Sequence, residues 1–326
     1  MTVKGHFAKY GLTLRILLAA LLYACHPVSK AWAGQWYTGS LISASGGVTK
    51  GYWDIEPYYT YTQPIGYLDN RGHSRPSSHP LQRFFSNDTL WEYGLTRNLT
   101  IAWHTVVNYQ WKSGQGHSHG PKAGDMPVDL IYRYLEPDPK RFIPSLNIYV
   151  GMVFPTGDYN RLGHLQDGMG NGNFTFRLGL TAQSTYSLPN GHELRLRFWN
   201  WFYRPVTSAS LRDVTSYGTE MGFRGHGQQG MHGETGVALE YGITQRWVFA
   251  FDLYRDWANG AHVQGYDHYG HYSREVGLSS TSWQVAPALE YNWNDSWGVI
   301  FGSSFVFAGH NNDFSIAPQF AVNAMF

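Results

Sequence analysis

Twelve stretches of this chain alternate apolar and polar side chains with a period of two, which constrains the fold more than any other feature. In Leu99-Thr100-Ile101-Ala102-Trp103-His104-Thr105-Val106-Val107-Asn108-Tyr109-Gln110-Trp111 the odd positions are nearly all apolar or aromatic, and even positions carry His104, Asn108 and Gln110. Successive side chains of a strand point to opposite faces, so this is a strand with one apolar and one wet face. The same split recurs over residues 52–62, 85–96, 128–135, 145–155, 173–186, 193–203, 233–242, 247–257, 282–292, 297–308 and 314–326. Each stretch approaches the 9–11 residues that a tilted strand needs to cross a bilayer.

The connections carry a second period. Turns at Thr96-Arg97-Asn98, Leu188-Pro189-Asn190-Gly191, Ile243-Thr244-Gln245-Arg246 and Trp293-Asn294-Asp295-Ser296 are short, and Glu136–Ile143 is slightly longer. Between them fall long Gly-, His- and Ser-rich segments at 63–84, 112–127, 156–172, 204–232 and 258–281. Short turns on one side and long loops on the other are the habit of outer-membrane barrels. Twelve strands, an even number, put both chain ends on the short-turn side.

Composition agrees with a chain living in lipid without helices. Charged residues are only 14% and aromatics 17%, against about 25% charged in soluble domains. After Gly34 no stretch approaches the 18 consecutive apolar residues of a membrane-spanning helix. A closed barrel is the other structure that satisfies every backbone group inside a bilayer. A secreted β-sandwich would also bury twelve apolar faces, but it has no need of alternating loop lengths or of aromatics at strand ends. Here Trp111, Tyr186, Trp247, Trp257, Trp283, Tyr291 and Trp297 stand at such ends, where interfacial girdles form. The net charge of +1 argues against a nucleic-acid partner.

Lys4, Lys9 and Arg15 precede the apolar run Ile16–Cys25, and Ala31-Trp32-Ala33 has the spacing of a cleavage site. Residues 1–33 therefore read as a secretory signal peptide, with Gly34 the first mature residue. Leu22-Tyr23-Ala24-Cys25 offers another reading, a lipoprotein box with Cys25 as lipidated N-terminus, against which Tyr23 counts. Residues 34–51 form an N-terminal segment that is a tail, a plug or an extra strand, and 52–326 form the barrel. At the other end Phe314, Ile316, Pro318, Phe320, Val322, Ala324 and Phe326 alternate up to a terminal aromatic. Such an ending is similar to the signal read by the barrel-assembly machinery, which assigns Phe326 that role and makes the machinery a partner during biogenesis.

Trp36-Tyr37-Thr38-Gly39-Ser40-Leu41, Ile55-Glu56-Pro57-Tyr58-Tyr59-Thr60-Tyr61 and Phe154-Pro155-Thr156-Gly157-Asp158, followed by Gly170-Asn171-Gly172-Asn173, carry a resemblance. They resemble the family named for the MetA pathway of phenol degradation, outer-membrane barrels associated with transport. The resemblance implies uptake of small, aromatic or hydrophobic compounds across the outer membrane. Its motifs are structural corners, and no catalytic or ligand residues come with them.

With apolar side chains turned to lipid, parity puts Arg177, Arg195, Arg197, Glu234, Glu240, Glu290, Asp252 and His104 in the lumen. Such groups must meet each other or water. One reading is a polar pathway in which Arg195 and Arg197 form a positive strip balanced from across the barrel by Glu234, Glu240 and Glu290. The other is a lumen laced by salt bridges with little passage, since twelve strands fall between filled and open barrels. Histidines gather in the external loops, and His117, His119, His268 and His271 are the only candidates for metal ligands, without a complete tetrahedral set. No outward His neighbours an outward Ser, so no catalytic residue is assigned.

The sequence thus predicts an all-β, transmembrane antiparallel up-and-down β-barrel of about twelve strands. Its expected role is an outer-membrane channel or transporter for small-molecule solutes, without cofactor or enzyme activity. A structural or adhesive barrel is the alternative, ahead of a barrel enzyme or a metal-binding surface protein. The expected partners are outer-membrane lipid, the solutes and the assembly machinery.

Overall fold

The computed structural model describes residues 36–37, 39–43, 46–76 and 81–326. The signal segment 1–33, Gly34 and Cys25 lie outside the described residues. The barrel strands are β1 (Trp53–Leu68), β2 (Gln82–Gly94), β3 (Leu99–Lys112), β4 (Met126–Leu135), β5 (Ser145–Phe154) and β6 (Thr175–Ser187). They continue as β7 (Glu193–Pro205), β8 (His232–Gly242), β9 (Trp247–Ala258), β10 (Ser280–Asn292), β11 (Trp297–His310) and β12 (Asn312–Met325). Each pairs antiparallel with its sequence neighbours, and β12 pairs with β1 to close the ring. Closure leaves no sheet edge in the bilayer. The two ends meet where the sequence places them: Trp53 N–H donates to Phe326 O at 2.7 Å and Phe326 N–H to Trp53 O at 3.0 Å.

The alternation has the expected sense. Val107, Leu130, Val150, Leu178, Leu180, Leu196, Phe198, Val237, Phe301 and Phe320 are all exposed on the outside. An apolar belt of this extent marks a contact surface, and around a closed barrel it suits lipid. Near the short-turn side Trp53 packs on Tyr93 and edge-on to Trp103, and Trp103 stacks on Trp91. Such a cluster suits the amphipathic interface.

Three of the long connections differ from their sequence reading. β1 runs to Leu68 and β2 starts at Gln82, so much of the segment read as loop 63–84 is paired strand. The alternation fades there because both faces of an emergent strand are wet. The segments 204–232 and 258–281 are not irregular either. Their strands Ala209–Arg212, Arg224–Gln228, His262–Tyr266 and Tyr272–Val276 form a four-stranded sheet on the long-loop side. Leu211, with no exposure, Ala209 and Phe223 make its small core against Tyr159, Tyr217 and Val263.

Candidate functional site

The site is the lumen, and its lower half is built around the described residues of the segment 36–50. Trp36 N–H donates to Gln245 O at 3.3 Å, and Asn292 Nδ2 donates to Trp36 O at 3.2 Å, which holds the start of the segment at the short-turn end. The chain then crosses the lumen. Ser40 Oγ donates to Asp252 Oδ1 at 2.5 Å, and Arg197 Nη1 donates to Ser43 O at 3.3 Å. Arg133 Nη2 donates to Gly47 O at 3.0 Å, and Thr100 Oγ1 bonds both the N–H and the C=O of Val48 at 3.1 Å. Leu41 packs among Ala238, Ala250, Ala286, Ala288, Ile300 and Ala321. The alanines among these leave the space that Leu41 and the partly buried Ile42 fill.

Of the predicted lumen residues Arg177, Arg197, Glu240, Asp252 and Glu290 are buried and Arg195, Glu234 and His104 partly so, and their pairings are mostly between neighbouring strands. Register puts Arg195 opposite Glu240 on β8. Arg195 Nη2 donates to Glu240 Oε1 at 2.7 Å and its Nε also donates to this carboxylate. Arg197 Nε donates to Glu240 Oε2 at 3.0 Å. The expectation of balance from across the barrel therefore holds differently: one adjacent, unexposed glutamate serves both arginines. Glu290 and Asp252, equally unexposed, lie on β10 and β9. Arg195 is further covered by the Tyr37 ring, 3.9 Å from its guanidinium carbon. The positive strip is thus neutralised and roofed by the N-terminal segment.

Higher in the lumen Arg177 donates to Asp129 at 2.6 Å and lies 4.0 Å over the Trp201 ring. His104 Nδ1 is 2.9 Å from Asp88 Oδ1. Glu234 stands opposite Asp256 across β8 and β9, accepts a hydrogen bond from Trp199 Nε1 at 2.5 Å, and shares the wall with no described cation bonded to it. Gln284 Nε2 donates to Asp256 Oδ2 at 2.5 Å. Sequence reasoning left out Trp199 and Trp201, although they share the parity of Arg195 and Arg197. Both point inward because glycines face them: Trp199 is opposite Gly236 and Trp201 opposite Gly179, where an added Cβ would collide with the indole rings. A lumen-parity Trp beside a cross-strand Gly was the available signal.

Open space remains above this segment. A chamber of about 370 Å³ sits on Leu41, Ile42 and Ser43 and is walled by Tyr58, Phe84, Tyr149 and Trp201. Above it a vestibule of about 840 Å³ reaches the long-loop side, with Asp125, Glu234, Asp256 and Asp313 on its wall. Thr60, Thr62 and Gln319 line both, so the two are contiguous. No Lys or Arg lines the vestibule among the described residues.

The candidate metal ligands are not brought together. His117 Nδ1 faces Ser118 O, His119 bonds Asp167 at 2.7 Å, His268 lies on Tyr269 and His271 bonds Asp267 at 3.3 Å. Among the described residues no group of three or more metal-type ligands forms. These contacts tie loops down instead. Burial pushes the Asp167 carboxyl up, but hydrogen bonds from His119 and the charge of Lys122 outweigh it and leave it below its usual range. The His271 and Tyr269 backbone N–H groups hold Asp267 low, and those of His73 and Arg71, with Arg75, hold Asp69 down at about 2.

Channels and porins are among the solved structures to which this barrel is similar. The COG4313 outer membrane channel from Pseudomonas putida F1 aligns with a TM-score of 0.56 at 16% identity, covering 86% of this chain and 97% of that one. The KdgM porin aligns at 0.39 with 10% identity over 83% of this chain and 99% of that one. The CymD monoaromatic hydrocarbon channel aligns at 0.39 with 9% identity over 86% and 89%. No protein-family model and no curated protein matches the chain. The fold is that of an outer-membrane β-barrel.

Proposed function

We propose that the chain is an outer-membrane channel for small molecules, constricted from within by residues 36–50, and that it carries no enzyme activity. The observation that carries this reading is the contiguous vestibule and chamber, which together lead from the long-loop side to Leu41. A purely structural barrel has no need of such a passage. The chamber wall sets Tyr58, Phe84, Tyr149 and Trp201 beside Glu56, Glu92, Asp129 and Arg177, which favours flat solutes bearing a polar group, and its volume is within the range of small-ligand pockets. That agrees with the phenol-degradation resemblance and with a channel made as an exported, signal-bearing precursor.

Planar-bilayer recordings test the channel. Protein lacking residues 36–50, checked for barrel formation by heat-modifiable gel migration, is expected to conduct steadily, and the full mature chain to conduct less. No current from either protein, and no solute uptake by liposomes, would replace the channel with a structural or adhesive barrel. Phe326, which is exposed beside Trp53 at the closing seam, is proposed as the assembly signal. Phe326→Asp is expected to lower the amount of folded barrel in cells, and an undiminished amount would remove that role.

A further inference from the structure

The external sheet has one buried and one exposed face. Leu211 and Ala209 alternate with Ser210 and Arg212, and the buried face rests on Tyr159 and Tyr217. Tyr217 in turn donates from its hydroxyl to Asn171 O at 2.8 Å, and Asn171 lines the vestibule. The other face is therefore turned away from the mouth. On it, cross-strand register places Arg212 opposite Arg224, Arg224 opposite Tyr266, and Tyr266 opposite Tyr272. The next row on the same face is Ser210, His226, Gln264 and Arg274. A groove of about 340 Å³ runs along these rows.

This face has an unusual charge pattern. Its strand residues include three arginines and the histidines His226 and His262, and the strands' one acidic residue, Glu275, is opposite Val263, on the other parity. None of Arg212, Arg224 and Arg274 forms an ion pair among the described residues, in contrast to Arg177, Arg195 and Arg197. Directly opposed like charges destabilise a sheet, because their Cβ atoms are only about 5 Å apart. An anion between Arg212 and Arg224 would reverse that cost. A phosphate monoester suits the position, since it carries about −1.5 to −2 charges and three acceptor oxygens for two guanidinium forks. The Tyr266 and Tyr272 rings, 5.3 Å apart, continue the row and offer apolar faces to whatever bears the phosphate.

We propose that this face binds the phosphorylated sugars of lipopolysaccharide in the surrounding outer leaflet. The proposal rests on the outer-membrane reading above. A face turned from the mouth meets the neighbouring glycolipid rather than passing solute, and its open charge complements the phosphates there. Binding would clamp the two long loops that build the sheet.

The test uses the full mature barrel in detergent, with glycolipid adducts counted by native mass spectrometry. Phosphorylated deep-rough lipopolysaccharide, the same material after dephosphorylation, and inorganic phosphate are titrated in parallel. Arg212→Gln/Arg224→Gln is expected to bind the phosphorylated form about tenfold or more weakly than wild type, since each lost charged hydrogen bond is worth about that factor. Tyr272→Leu is expected to bind less tightly while keeping its preference for the phosphorylated form. Equal binding by wild type and the double variant, or equal binding of phosphorylated and dephosphorylated forms, would overturn the proposal. Inorganic phosphate binding as tightly as the glycolipid would reassign the face to a soluble anion, which also overturns it. Cell fractionation is scored separately: absence from the outer membrane ends the localisation reading, whatever the titrations give.

Discussion

The lower and upper halves of the lumen share the same strands and the same alternation, yet treat their charges in opposite ways. Below Ser43 the space is filled by described residues of the segment 36–50, Glu240 has no exposure, and it carries two arginines. Above Thr60 the wall is open to a vestibule where Glu234 and Asp256 face each other and Asp313 is exposed. A buried charge demands a close charged partner because water is gone, whereas one beside an open vestibule can rest on neutral donors, as Glu234 does on Trp199 and Asp256 on Gln284. The strands supply inward polar residues throughout, and the N-terminal segment decides which of them become a core.

That contrast makes its largest prediction at Glu240. Replacing it with Ala abandons Arg195 and Arg197 in a dry site and should cost about 3–5 kcal/mol, read from urea unfolding equilibria in lipid vesicles. Asp313→Asn in the vestibule should change stability by less than about 1 kcal/mol. If both variants unfold at the same urea concentration, the halves do not differ in hydration.

Next in size is the comparison of the two faces of the wall. Leu180→Arg on the lipid side should cost about 2–4 kcal/mol, while Thr62→Arg, facing the vestibule, should cost clearly less because its charge stays in water. Equal penalties would mean that the strand phase is wrong.

A smaller effect concerns permeation through the upper half. Each carboxylate there acts on a passing ion through water, roughly 1 kcal/mol at 4 Å, which is about fivefold in permeability. Asp256→Asn should lower the cation-to-anion permeability ratio of the segment-deleted barrel by up to that factor, less at high salt. An unchanged reversal potential would exclude the vestibule from selectivity.

The smallest effect lies in the external turns. The Asp69 carboxyl is held at about 2, below its ordinary value, so its hydrogen bonds to Arg71 and His73 stabilise the loop above the unfolded value near 4. That contribution is lost as the pH falls from about 4 through about 2, and amide exchange at Arg71 and His73 should accelerate over this window. Asp69→Asn should remove the pH step. A step that persists in Asp69→Asn would assign it to another group.

Much of this molecule is legible in its amino-acid sequence alone. All twelve strands, the alternation of short turns with long connections and the sense of the apolar face are legible there, because a strand in lipid must repeat every two residues. The inward placement of Arg177, Arg195, Arg197, Glu240 and His104 follows from the same parity. What alternation leaves open is anything that depends on a second strand or on a segment without periodicity. Residues 36–50 have no repeat, and their path depends on the Ala238, Ala250, Ala286 and Ala288 hollow that only the closed ring creates. Parity likewise says that Arg195 faces inward, but only register says that Glu240 lies beside it rather than across the barrel. The external sheet escapes a reading by period because its strands are short, glycine-rich and split between two distant loops. Its face of opposed arginines exists only once Ala209–Arg212 meets Arg224–Gln228. Period and parity belong to one strand and are written in the chain; pairing partners, fillers and charge neighbours belong to two, and tertiary closure chose them.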